Sequence, residues 1–295
     1  MADPLRGLVE GLAASPAVTA VAMVGSHMSG VAESTSDVDI FVYTDGNVGE
    51  LRSRIAEQFA DPAEWRSVHE TAFGDGDVWR LREDGNWIDL MYWTTAWAEA
   101  QLRRVLVDCA AALGYSTAFW RSIRNARPLY ERDAWHRRLQ RQATHPYPEA
   151  LRQNIISLNH PWLRDHPLSY RQQVAWAIER NDVVNVNHRV AAWLASYFDI
   201  LFAVNRVLHP GEKRLLEFLV RECPLLPAGV PGAIEDLVSL AGRATPEVLE
   251  AMDDLTKPLD LLLCRQRLLR ADLHSGPANG GRAATPENSL AARPR

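Results

Sequence analysis

Apolar and polar positions alternate in two different rhythms along this chain. Leu5, Leu8, Val9 and Leu12 recur at helical spacing and predict a first helix over Pro4 to Ala14, packed behind a strand that begins near Val18. The runs ending at Val24 and at Tyr43 are short, apolar and rich in branched residues, as buried strands are. Asp45-Gly46-Asn47 is turn chemistry, and Val48 to Phe59 has the pattern of an amphipathic helix. Trp65 to Phe73, Gly76 to Leu81 and Trp87 to Trp93 read as strands joined by Gly74-Asp75-Gly76 and Asp84-Gly85-Asn86, glycine beside Asp or Asn being the hairpin signal. From Thr95 the strand rhythm stops. Trp97 to Leu113 and Ser116 to Asn125 are helical in pattern, and Pro128 to Asp133 is a short extended piece returning to the first domain. Beyond Trp135 helix follows helix, with breaks expected at Pro146, Pro148, Pro161, Pro167, Pro210, Pro224, Pro227, Pro231 and Pro246. The longest, Val183 to Leu208, is apolar nearly all round between Ala191 and Phe202, which suits the centre of a bundle. A final helix is expected over Pro246 to Leu273, and the Gly, Ala, Pro and Arg of Ser275 to Arg295 offer no face to bury. The expected class is α+β: a small mixed β-sheet domain with helices on one face (residues 1–133), an all-α helical bundle domain (134–274) and a disordered tail (275–295).

Between the first two strands stand Gly25-Ser26, a stretch of small residues, and Asp37-Val38-Asp39-Ile40. Side chains alternate along a strand, so Asp37 and Asp39 share one face while Val38 and Ile40 share the other. Two carboxylates held close together repel, and both stay ionised only with a cation between them. Few hard oxygen ligands, with room for water and phosphate, suit magnesium. Gly25 ends a buried strand where a side chain would block the approach of a ligand, and Ser26 offers a hydroxyl and an amide at the start of a short helix, so phosphate is expected at one end of the site and metal at the other. Two magnesium ions about 3.5–4 Å apart need a further carboxylate. Asp89, the one acid inside the strand-like run Asn86 to Trp93, is that third ligand. Asp-x-Asp by itself is common on exposed strands; the Gly-Ser turn ahead of it, flanked by apolar strands, is what gives it weight. Glycosyltransferases also use Asp-x-Asp, but after several strand–helix units, and a single strand precedes Asp37 here.

Gly25-Ser26, ten residues, Asp37-Val38-Asp39-Ile40 and the later Asp89 together resemble the nucleotidyltransferase superfamily of DNA polymerase beta. Gly25-Ser-x-x-Ser-Gly30, Ser36-Asp37-x-Asp39, Leu201 to Arg206 and Gly211-x-Lys213-Arg214 are similar to bacterial proteins that join such a domain to an uncharacterised helical domain, distantly similar in turn to aminoglycoside and lincosamide nucleotidyltransferases. Several antibiotic-modifying relatives carry Arg close to where Ser29 stands, so one phosphate contact of theirs is missing here. The resemblance implies transfer of a nucleoside monophosphate, AMP from ATP, to an acceptor hydroxyl, with release of pyrophosphate. It assigns one magnesium to Asp37, Asp39 and Asp89 and a second to Asp37 and Asp39. Gly25, Ser26 and Ser36 then bind the nucleotide, Lys213 reaches the triphosphate, and Asp89 is the candidate general base. The acceptor implied is a small molecule such as an aminoglycoside-like compound; a protein or RNA acceptor, and a non-catalytic nucleotide-binding module, are the alternatives. For Lys213 a solvated helix start is the plainer alternative.

In the helical part Asn185, His188 and Arg189 fall at i, i+3 and i+4, one polar stripe on a largely apolar rod, and form a candidate acceptor site; Asp199, Asn205 and Arg206 continue near its end. A satisfied polar seam between helices explains the same residues. The 295 residues carry 47% hydrophobic and 23% charged side chains, ordinary for a globular chain of one large or two modest domains. A net charge of -5 argues against a general nucleic-acid binder, whose mark is a strongly basic face. Cys109, Cys223 and Cys264, odd in number and widely spaced, read as reduced thiols. With no apolar run near the roughly 20 residues of a membrane span and no basic-then-apolar leader, the expected location is the cytoplasm.

Overall fold

The computed structural model describes residues 3–25, 37–72 and 74–269. In the first half, α1 (Asp3–Ala13) leads to β1 (Val18–Met23); then come β2 (Val38–Thr44), α2 (Gly49–Phe59), β3 (Arg66–Glu70), β4 (Gly76–Arg80) and β5 (Trp87–Thr94). After α3 (Thr95–Leu106) and α4 (Ala118–Asn125), β6 (Arg127–Glu131) returns to the sheet. The remainder is helical: α5 (Trp135–Ala143), α6 (Glu149–Leu163), α7 (Tyr170–Glu179), α8 (Val183–Asn205), α9 (Leu215–Glu222), α10 (Val230–Ala241) and α11 (Glu247–Arg265). None of the described helices is long and apolar enough to cross a membrane.

The six strands form one mixed sheet in the order β3-β4-β5-β2-β1-β6. Only the central pair, β2 with β5, is parallel. Parallel neighbours need a crossover, which α2 and the β3–β4 hairpin supply. Alternation along the strands then builds two cores. Val18, Val21, Ile40, Val42, Ile88 and Leu90 pack with Leu8, Leu12 and Ile55 of α1 and α2 on one face. On the other, Ala20, Ala22 and Tyr43 join Trp135 and the helices that follow, in a core that runs on through Trp193 and Leu259. The sheet is thus covered on both faces, and the second core spans the expected boundary at 133/134.

One buried ion pair ties α2 to the β4 end of the sheet. Arg52 donates to both carboxylate oxygens of Asp77 and to the Gly76 carbonyl, and Asp77 Oδ1 also accepts the His69 amide at 2.8 Å. The guanidinium lies 4.5 Å over the ring of Tyr92.

The central helix α8 begins where Asp182 accepts the Asn185 amide and ends where Arg206 turns left-handed, at φ 54. Its expected extension to Leu208 is therefore three residues too long. Likewise α3 stops at Leu106 rather than Leu113, and α11 at Arg265. Pro161 does not break its helix: it sits inside α6, two residues before the end, where a missing N–H costs a single bond. The tail beyond Leu269 lies outside the described residues.

Polar residues expected near the end of α8 are mostly seam. Asn205 donates to the Leu225 carbonyl and accepts the Leu225 amide. Fully buried Asp199 accepts the Ser116 amide at 3.1 Å and the Ser116 hydroxyl at 2.6 Å. Burial pushes the Asp199 carboxyl up to about 7, against the two bonds from Ser116, which lower it. A folded value above the ordinary 3.8 stabilises the protonated native state; that stabilisation is complete below the ordinary value and is lost as pH rises through about 7. Asp199→Asn is therefore expected to gain stability relative to wild type across that window, on the order of 1 kcal/mol per pH unit, and to show no further change above it. Urea unfolding at several pH values measures this, and a pH-independent difference would contradict it.

Candidate active site

Asp39 and Asp89 stand directly opposite each other in the register of β2 and β5, with Val38 opposite Ile88 and Ile40 opposite Leu90. The apolar neighbours point into the α1–α2 core, so both carboxylates emerge on the other face of the sheet, one strand spacing (about 4.8 Å) apart. Further along that face come Phe41, two residues after Asp39, and Trp93, four after Asp89, packed edge-on to each other, against Phe119 of α4 and Trp97 of α3. This aromatic wall closes the far side and leaves the carboxylates at the end of the strands. Asp37, just before β2, is exposed.

Gly25 explains how closely the parts fit. It follows β1 with φ +74, a conformation that side chains rarely adopt, and a Cβ built on it would lie 1.8 Å from Asp39 Oδ2. The Val24 amide meanwhile donates to the Asp39 carbonyl at 2.9 Å, fixing the turn against β2. Gly25→Ala is expected to cost about 1–3 kcal/mol in strain and displacement and to lower activity through the shifted carboxylate. A thermal melt with a parallel rate measurement checks it, and an alanine variant as stable and active as wild type would contradict the packing.

Asp89 is the electrostatic focus. Its carboxyl is raised, first by burial, then by the charge of Asp37 and more weakly of Asp77, while Lys213 pulls the other way. Its Oδ1 is buried without a hydrogen-bond partner. An ionised oxygen so placed calls for a cation or a proton, and the donors here, all carboxylate, suit a divalent hard cation. The set is open: among the described residues no three His, Cys, Asp or Glu side chains gather tightly enough to hold a metal ion. Asp39 and Asp89 are brought together; Asp37 acts on Asp89 from the rim.

Lys213 lies in the loop after α8, ahead of the start of α9 at Leu215 rather than on the helix, with Arg214 left-handed at its cap. It is close enough for its charge to act on Asp89, which no local pattern announced. Asn185, His188 and Arg189 are elsewhere. They occupy the N-terminal end of α8, opposite the loop that carries Lys213, where Asn185 and Arg189 line a cavity of about 340 Å³ with Trp162 and Trp176, and His188 is exposed. Ser26 and Ser36 lie outside the described residues, as does Ser29. Passed over in the sequence was Arg127, which starts β6 opposite Met23, near the Gly25 end of the sheet; a lone arginine at a strand start carries no motif.

The domain is α+β: a mixed sheet with paired carboxylates on its central parallel strands, beside a glycine turn. Residues 5–89 match the sequence profile of the nucleotidyltransferase domain. The match ends on Asp89 and includes Gly25, Asp37 and Asp39. Among solved structures, a nucleotidyltransferase-like protein from Exiguobacterium sibiricum 255-15 is similar with a TM-score of 0.42 and 15% identity, over 90% of this chain and 77% of that one. No curated protein matches.

Proposed function

We propose that the chain transfers a nucleoside monophosphate, AMP from ATP in the first instance, to a hydroxyl of a small acceptor. The observation that carries this is the Asp39–Asp89 pair in register on β2 and β5 with Gly25 closed against it. Asp37, Asp39 and Asp89 would hold one magnesium and Asp37 and Asp39 a second. Such ions supply Lewis-acid activation of a hydroxyl and neutralise charge on the phosphates.

The protein's own groups do the rest. Asp89, half-buried and raised, is suited to take the acceptor's proton as its oxygen attacks the α-phosphorus; the bond to the β-phosphate's bridging oxygen breaks and pyrophosphate leaves. The absence of a side chain at Gly25 lets the Asp39 carboxylate pack against the turn, and Lys213 adds positive charge from the helical side. The net charge of -5 favours a small acceptor over a nucleic-acid track.

Calorimetry with each of the four NTPs, with and without magnesium, on wild type and Asp39→Asn tests the proposal. Metal-dependent binding that the variant loses is the expected result; binding of no NTP would overturn it. Lys213→Ala, at an exposed position, is expected to keep the fold and weaken NTP binding about tenfold, the worth of one charged contact. An unchanged affinity would remove Lys213 from the site.

A further inference from the structure

A second basic feature lies between α4 and the chain that follows α8. Arg121, Arg124, Asn125, Arg206, Val207, Leu208 and Glu222 enclose a cavity of about 350 Å³ between α4, the segment after α8 and α9. Its framework is rigid. Arg121 donates to both oxygens of Glu222 and to the Leu208 carbonyl at 2.9 Å, and its guanidinium lies 5.0 Å over the Phe218 ring. Glu222 is held below the usual carboxylate range, first by Arg121, so the one acid in the lining is already neutralised. Arg206 pairs with Glu149, outside the lining. Arg124 is exposed and has no ion-pair partner among the described residues.

Topology decides which part of the reaction this cavity faces. Across the sheet the order is β5, β2, β1, β6, so Asp89, Asp39, the Gly25 turn and the start of β6 follow one another at one end of the strands. Arg127 pairs with Met23, two residues before Gly25, and Asn125 precedes it by two. The start of β6 is therefore about 10 Å, two strand spacings, from Asp39, on the side away from Asp89. If the acceptor hydroxyl is activated at Asp89 and the donor's phosphates lie against Gly25, the next position along lies beyond the bound donor, where pyrophosphate arrives once displaced. Arg127 also has no carboxylate partner among the described residues, its guanidinium reaching only Met23 Sδ at 3.4 Å. Guanidinium groups pair strongly with phosphate oxygens, often two at a time.

We infer that this arginine-lined cavity is a diphosphate site, separate from the carboxylate site, which receives the pyrophosphate displaced in the reaction. Its placement in the reaction rests on the nucleotidyl-transfer reading; its affinity for diphosphate does not. The cavity has room for a hydrated diphosphate, Arg124 supplies the uncommitted charge, and Arg121 and Arg206 line the walls.

The probe is inorganic pyrophosphate, titrated without magnesium into the full chain. Expected are binding by wild type and by Asp39→Asn alike, and a loss of about tenfold or more in Arg124→Ala, the worth of one charged contact, with Arg206→Ala in the same direction. In turnover, Arg124→Ala should raise the pyrophosphate inhibition constant by the same factor and leave the KM for NTP unchanged. Pyrophosphate binding that needs magnesium and disappears in Asp39→Asn would overturn the separate site, as would an Arg124→Ala affinity equal to wild type. Should no NTP bind while metal-free pyrophosphate binding still depends on Arg124, the transfer reading fails and the diphosphate site stands.

Discussion

Asp39→Asn is expected to abolish nucleotidyl transfer, lowering the rate roughly 10³-fold or more, while the protein stays folded. Asn keeps the shape of the side chain and its place opposite Asp89, so the register of β2 with β5 and the closure of Gly25 are retained. What disappears is one of two adjacent charges, and with it the affinity of the pair for a divalent cation. Removing a neighbouring negative charge also relieves repulsion within the pair, so thermal stability should be equal or slightly higher. Release of pyrophosphate from NTP, measured with a melting curve on the same preparation, separates the two effects. A variant that melts normally and still turns over at the wild-type rate would remove the carboxylate pair from the chemistry.

The largest expected effect on stability lies away from the carboxylates. Asp77→Ala should cost about 3–5 kcal/mol, because it leaves Arg52, whose side chain is 7% exposed, as an uncompensated charge against a partner site only 1% exposed. The His69 amide loses its acceptor as well. The two α2–β4 contacts through Arg52 hold the crossover that makes β2 and β5 parallel, so partial loosening there would also reach Asp89 at the neighbouring register position of β5. Replacing Arg52 and Asp77 together by apolar residues of similar volume should cost much less than the single change, since no buried charge is then orphaned. Urea unfolding of the single and double variants is the measurement. A single variant within 1 kcal/mol of wild type would mean that water or rearrangement compensates Arg52.

Much of the fold was legible because it is written in local pattern. The hairpin glycines with Asp or Asn located β3, β4 and β5 to within a few residues, helical spacing of apolar residues located α1, and an amphipathic pattern after a turn located α2. Helix ends were misplaced where the stop is a backbone event, as at left-handed Arg206, or where a proline falls in a last turn, as at Pro161. The polar stripe Asn185, His188 and Arg189 illustrates a different limit. Its spacing shows that the three residues share a helix face, but which end of α8 faces the sheet depends on how some 70 later residues pack, and helical periodicity is silent about that.

The sequence alone determined the two-residue spacing of Asp37 and Asp39 where β2 begins, the turn chemistry at Gly25, and the change from strand rhythm to helix rhythm near Thr95, because each is settled by bonds and sterics within a few residues. Only the tertiary structure decided that Asp89 lands beside Asp39 in a parallel register, that the loop after α8 brings Lys213 toward them, and that arginines from α4 and from beyond α8 meet around one cavity. Those outcomes depend on crossover length, on which face each core covers and on where distant helices dock. No window of the chain contains them, since the groups involved are joined by packing and not by sequence.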